Sequence, residues 1–287
     1  FASNIGGTAT LIGDPPNILI GSALNLTFMD FVYNLAPVVL TTMVVLVAAF
    51  DFFWKRSLVA SDENRKIVMK MNEFDAITDR PLLFKCLVVL ALVIAGFISA
   101  KEIGLENGTI ALLGAAVLLF LYTLGTPGED RDGKVQEIFG MVDWITIFFF
   151  TGLFVIVSGL DRTGVLEALG HKFVDMTGGS IKKLSLLILW SSAVVSSAID
   201  NIPFVATMIP MLKSMEESMG GREAMMPVWW ALSLGACFGG NGTLVGGRYG
   251  ASRGAPDRVY QIFDLVGSGY VYIGSDCDPF SDLGFRY

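Results

Sequence analysis

Charged side chains are scarce in this sequence: Asp, Glu, Lys and Arg make up 16% of its 287 residues, against about 25% in soluble globular chains. Hydrophobic residues reach 53% and the mean hydropathy is +0.61, so an ordinary soluble domain is excluded. Histidine occurs once, as His171. That excludes a multi-histidine metal site and leaves any Ser–His–Asp triad resting on one residue in a polar stretch. Cys86, Cys237 and Cys277 show no CxxC spacing, so neither a disulfide framework nor a zinc site is indicated. GxxxxGK[ST] is absent, which excludes a Walker-type ATPase within this chain. No cofactor and no nucleic-acid partner are expected. The formal net charge of −7 adds little, because acidic loops scarcely affect membrane topology.

Long apolar runs take the place of charge. Residues 31–54 carry only Asp51, 82–100 only Lys85, 108–124 no charge, and 142–160 only Asp143 at the start. Lys85 is close enough to the end of its run for the amine to snorkel to the interface. About 20 residues are enough for a helix to cross about 30 Å of hydrocarbon. The expected fold class is therefore an all-α polytopic membrane protein, multi-pass in a prokaryotic plasma membrane. Trp54, Trp144, Trp229 and Trp230 suit interfacial belts. The chain opens on Phe1 inside an apolar stretch with no charged n-region before it, which reads as a cut through a longer protein rather than a signal peptide.

Between the runs lie interruptions. Residues 1–26 are broken by Gly13-Asp14-Pro15-Pro16-Asn17, and 184–212 by Asp200-Asn201-Ile202-Pro203. Residues 161–183 are polar and partly amphipathic, and 227–246 end in a glycine cluster. Gly6-Gly7-Thr8-Ala9-Thr10-Leu11-Ile12-Gly13 aligns without gaps on Gly239-Gly240-Asn241-Gly242-Thr243-Leu244-Val245-Gly246, with five identities and an Ile/Val exchange. Chance is one reading, since Gly and Leu abound in membrane helices. The other is an internal repeat, and paired Gly/Pro-interrupted segments point to a transporter site. Six basic residues in the 55–80 loop place it in the cytoplasm, although Arg162, Lys172, Lys182 and Lys183 would then lie outside. As a straight helix, 184–212 would be about 43 Å long; as a re-entrant hairpin, each arm would be about 22 Å. A hairpin adds no net crossing, so 227–246 would then run opposite to 1–26. The expected organisation is the end of a first inverted repeat (1–54), a linker (55–81), a second repeat (82–246) and an atypical polar tail (247–287).

Broken backbone inside a membrane needs protein, water or a ligand to satisfy it. Gly6, Gly7, Gly239, Gly240 and Gly242 permit close approach and positive φ, while Pro15 and Pro16 withhold backbone donors. Half-helix ends then face the bilayer interior, amides toward anions or carbonyls toward cations. Asn4, Thr8, Thr10, Asn17, Asn201, Asn241 and Thr243 add neutral donors and acceptors near those ends; the plainer alternative is that small residues only permit tight packing. Asp14 and Asp200 are acidic groups deep in apolar surroundings, which suggests ion or proton handling. Each has a structural alternative: a turn or cap before Pro15 for Asp14, and a hairpin-tip cap for Asp200. Cys237 lies beside the second break, where a buried thiol usually serves packing.

The segments SNIGGTATLIGDPPN (3–17), VDWITIFFFTGLFVIVSGL (142–160), SSAIDNIPFVATMIP (196–210) and ACFGGNGTLVG (236–246) resemble the arsenite-pump and sodium–proton antiporter (ArsB/NhaD-type) permeases of the ion transporter superfamily. That superfamily also holds melanosomal P proteins and citrate or dicarboxylate carriers. The resemblance covers about 1–246 and implies an inverted-repeat secondary transporter with a re-entrant hairpin and a broken helix in each half. Carried over, Ser3-Asn4, Gly6–Thr10 and Asp14–Asn17 form the first broken helix, Asp200-Asn201 the hairpin tip, and Gly239–Thr243 the second broken helix. The implied partners are the lipid bilayer, a small inorganic ion or small anion, and a proton or Na+ for coupling; a homodimer is compatible. A membrane-embedded enzyme is the rival of another class and lacks a nucleophile–base pair. Residues 247–287 lack the apolar helix the family would place there, which suggests a frameshift near 246–248.

Overall fold

The computed structural model describes residues 2–54, 79–124 and 128–242, with positions 69 and 77. The chain divides into two units, Phe1–Gly246 and Gly247–Tyr287. The second unit lies outside the described residues, as do Thr243 and nearly all of the expected cytoplasmic linker.

Every regular element among the described residues is an α-helix. In chain order they are α1 (Ala2–Gly7), α2 (Pro15–Leu24), α3 (Phe28–Trp54), α4 (Arg80–Ile98), α5 (Ala100–Ile103) and α6 (Asn107–Thr123). Next come α7 (Gly128–Gly140), α8 (Trp144–Arg162), α9 (Val165–Thr177), α10 (Ile181–Ala198), α11 (Asn201–Met215) and α12 (Arg222–Gly239). Helices α3, α4, α8 and α10 are long and apolar enough to span a membrane, and α6 is a shorter apolar helix. The protein is an integral, multi-pass membrane protein. The polar, partly amphipathic stretch 161–183 is largely helical, because one face of α9 buries Leu166, Gly170 and Thr177. One expectation needs revision. Trp229 is no interfacial residue: it is fully buried, and its Nε1 donates to Glu216 Oε1 at 3.2 Å.

Local chemistry sets the helix starts. Thr27 and Asp30 cap α3 reciprocally: the Thr27 amide donates to Asp30 Oδ2 (2.8 Å) and the Asp30 amide to Thr27 Oγ1 (3.2 Å). Asp79 accepts from the Leu82 amide at the start of α4, and Asp143 from the Thr146 amide at the start of α8. Helix α2 ends where Asn25 takes a left-handed conformation (φ 49°), which asparagine tolerates better than most residues.

The main core gathers α2, the first turns of α3, and α9 to α12, around Trp229, Phe31, Ile20, Leu184, Ile188 and Met211. A smaller cluster joins α4, α5 and α6 through Phe97, Ala100 and Ile110. Most of α3, α4 and α8 instead turns leucine, valine and phenylalanine side chains outward, among them Val44, Leu92, Phe148 and Ile156. Exposed to water, such a surface costs about 25 cal/mol per Å²; lipid tails remove that cost.

Close contacts fix the helix directions around the core. A Cβ added to Gly235 would strike α10 at Leu189 and Ser192, one on Gly239 would strike it at Ala193 and Ser196, and one on Gly242 would meet Ser197. Rising numbers match rising numbers, so α12 runs parallel to α10 along a seam of small residues. Ser196 Oγ donates to the Ala236 carbonyl within that seam (2.6 Å). Asn17, at the start of α2, meets Ser233 and Cys237 of α12, whereas the Arg222 guanidinium at the start of α12 donates to the Leu24 carbonyl at the end of α2. Helix α2 is therefore antiparallel to α12. Helix α11 leaves from the end of α10 and finishes where Glu216 meets Trp229. The chain therefore doubles back at Ile199–Asp200, and α11 runs alongside α2 in the same direction.

Candidate functional site

These directions bring the N-termini of α2 and α11 together, beside the last turns of α12. Residues 8–14 between α1 and α2 fold tightly on themselves. The Thr8 amide donates to Asn4 O, Ala9 to Gly6 O, and Thr10 to Gly7 O. Gly7 and Gly13 press backbone against backbone, and a Cβ on either would overlap the other. Asn17 locks this loop from inside. Its Nδ2 donates to the carbonyls of Thr8 (3.0 Å) and Thr10 (2.9 Å), and its Oδ1 accepts from Ser233 Oγ (2.6 Å) and lies 3.6 Å from Cys237 Sγ. The residue is completely buried. Because its amide is committed to protein groups, it serves here as a clamp.

Asp14 sits at the N-cap of α2 with extended backbone (φ −146°, ψ 136°), yet its side chain makes no capping bond. The residue is 9% exposed, and its carboxylate instead meets Asn201 Nδ2 at 3.5 Å, the outer limit of a hydrogen bond. Cys237 and Asp200 also lie close enough to act on it electrostatically. Asp200 is the N-cap of α11 and uses Oδ1 to accept from the Ile202 amide (3.1 Å). Asp14, Asp200 and Asn201 thus stand at one place, with Thr8, Asn17, Ser233 and Cys237 packed behind Asp14.

The remaining candidates lie elsewhere or play other parts. Ser3 and Gly6 are exposed, and a Cβ on Gly6 meets nothing. Asn4 contributes its carbonyl, which accepts from Thr8 Oγ1 at 2.8 Å, and Thr10 contributes its carbonyl to Asn17. Gly239 and Gly240 are buried at the end of α12, and Asn241 turns off it with its amide on Phe238 O. Of the two freedoms glycine permits, positive φ is not used at Gly6, Gly7, Gly239, Gly240 or Gly242, since the left-handed glycines among the described residues lie at other positions. Close approach is what Gly7, Gly239 and Gly242 provide. Among the described residues no three His, Cys, Asp or Glu side chains gather as metal ligands. Sequence reading missed Ser233 and assigned Cys237 to packing. Their i,i+4 spacing on α12 was the available signal, but their partner Asn17 lies more than 200 positions away.

Residues 1–235 match the profile of the citrate transporter family, CitMHS. The chain belongs to this family. An uncharacterized transporter of Mycobacterium tuberculosis is 43% identical over 246 residues, covering 86% of this chain and 55% of that protein. The 46 kDa membrane protein of Mycobacterium leprae is 41% identical over 246 residues, with the same coverage. The P protein of Mus musculus is 31% identical over 320 aligned positions, which take in 85% of this chain and 38% of that protein. The resemblance to ion transporter superfamily permeases therefore holds, and the chain spans about half the length of its mycobacterial relatives.

Proposed function

We propose that this protein is a secondary active transporter, a proton-coupled exchanger of a small inorganic ion such as arsenite, antimonite or sodium. Asp14 and Asp200 would carry the proton coupling, and Asn201 would complete the ligand set. The observation that carries the reading is the meeting of Asp14 Oδ1 and Asn201 Nδ2, 187 positions apart, where two interrupted helices face each other. Intramembrane carboxylates are costly and are kept for ion or proton work. In this reading α10 and α11 are the arms of a re-entrant hairpin with Asp200-Asn201 at its tip. The segment containing α1 and α2 and the segment containing α12 belong to opposite repeats, which the antiparallel run of α2 and α12 supports.

The test is flux in proteoliposomes under an imposed pH gradient, with sodium and antimonite as separate cargoes. Asp14→Asn and Asp200→Asn should each lower the pH-driven flux about tenfold or more, a loss of about 1.4 kcal/mol of ion binding. Undiminished proton coupling in both variants would remove the pair from the mechanism. A second reading, a citrate- or dicarboxylate-type anion carrier, is favoured by the family's description and by helix N-termini facing the site. Citrate-driven flux that survives both substitutions would support it.

A further inference from the structure

Helix α9 joins two apolar helices. Helix α8 ends at Arg162, and α10 begins at Ile181 with Lys182 and Lys183 in its first turn. Basic residues at the ends of apolar helices reach for the headgroups, so both ends of α9 are held at that level. Gly164 caps its start at φ 74° and Gly178 its end at φ 61°. A Cβ would meet nothing at either position. The left-handed backbone, rather than crowding, is what calls for glycine there, and it turns the chain sharply at both ends of the helix.

The side chains of α9 fall into three strips at i,i+3 and i,i+4 spacing. Leu166, Gly170, Phe173 and Thr177 face the core, where Gly170 lies against Met211 and Met215 of α11. Glu167, His171 and Asp175 form an exposed polar strip, with His171 Nε2 3.8 Å from Glu167 Oε1. Val165, Leu169, Lys172 and Met176 form the third strip, whose apolar members are 53%, 42% and 75% exposed. A helix standing in water has no use for the third strip, and one crossing the membrane has none for the second. A helix lying at the membrane surface needs all three, for protein, water and acyl chains. Lys172 suits the third strip, because its stem can follow apolar surface while its amine reaches the headgroups.

We propose that α9 lies in the plane of the membrane surface and that the partner of its Val165, Leu169 and Met176 strip is phospholipid, engaged at the depth of the upper acyl chains. The helices on either side present the same kind of surface, through Val155, Ile156 and Leu160 on α8 and Leu186 and Trp190 on α10. Glu167 and Asp175 outweigh Lys172, so apolar burial rather than attraction to anionic lipid holds the helix in place. Zwitterionic phospholipid is therefore sufficient, and the inference holds whatever ion the protein carries.

The test uses the full chain in phosphatidylcholine nanodiscs, where both membrane surfaces are open to water. Leu169→Cys, Met176→Cys, His171→Cys and Asp175→Cys are made singly and treated with a charged maleimide. Mass spectrometry follows modification peptide by peptide, which reads the native cysteines separately, and rates are referred to those in SDS. The thiolate is the reacting form and apolar surroundings suppress it, so positions 171 and 175 should react about tenfold faster than 169 and 176. Equal rates on the two strips would overturn the proposal, whether both are fast, as in water, or both slow, as inside protein. A photoreactive p-benzoylphenylalanine placed at Leu169 or at Met176 should crosslink to phospholipid. Crosslinks to a second copy, or to another part of the chain, would overturn it as well.

Discussion

The two interruptions that meet at the site are built by opposite means. The first spreads over residues 8–14 and depends on a buried clamp: Asn17 joins two loop carbonyls to Ser233 and Cys237 of another helix. The second is a turn of two residues, Ile199 and Asp200, closed by the Asp200 cap and held at its base by the seam between α10 and α12. The contrast shows in the carboxylates. Where a remote asparagine holds the loop, the local aspartate is freed from structural duty; where the turn has no clamp, the aspartate spends one oxygen on holding it.

If this division of labour is right, breaking the clamp should do the most damage. Asn17→Leu would leave the Thr8 carbonyl and the Ser233 hydroxyl buried without their Asn17 partner, at about 1–3 kcal/mol for each orphaned group, while the Thr10 carbonyl would keep only the Gly13 amide. A loss of about 3 kcal/mol or more is expected, read as a large fall in melting temperature of the detergent-solubilised protein. A near-wild-type melting point would show that the loop is held by other means. The cap contrast is smaller and sharper. Asp200→Ala should cost about 1 kcal/mol through the lost cap, whereas Asp14→Ala should cost no capping energy, since its carboxylate bonds no amide of its own turn. Equal losses in the two variants would erase the distinction between the interruptions.

Much of this was legible in the sequence, and the limits have physical causes. Spans showed because lipid demands about 20 apolar residues in a row, and α3, α4, α6 and α8 lie within a few residues of the runs at 31–54, 82–100, 108–124 and 142–160. The breaks showed because Gly, Pro and Asp are conspicuous in apolar surroundings. The roles at the breaks did not. Nothing local to Asn17 says that its amide will be saturated by partners at 8, 10, 233 and 237, because that depends on α2 lying antiparallel to α12. Trp229 illustrates the same limit: a tryptophan near a helix start suits a membrane interface, but the Glu216 carboxylate inside the fold gives its N–H a partner and lets it bury.

A last pair of variants, one of which should have almost no effect, tests whether sequence repeats imply structural equivalence. Gly6 and Gly239 occupy the same position in the two aligned octapeptides. A Cβ on Gly6 meets nothing within 4 Å, whereas one on Gly239 meets the Ala193 carbonyl and Ser196 across the seam. Gly239→Ala should therefore cost about 1–3 kcal/mol through overpacking. Gly6→Ala should stay within about 0.5 kcal/mol, as surface substitutions usually do. Paired melting curves decide the matter. A tolerant Gly6 and an intolerant Gly239 mean that the repeat preserves the interruption while each copy packs its neighbours differently. A Gly6→Ala loss as large as that of Gly239→Ala would mean that the first copy, too, is pressed against a helix at this position.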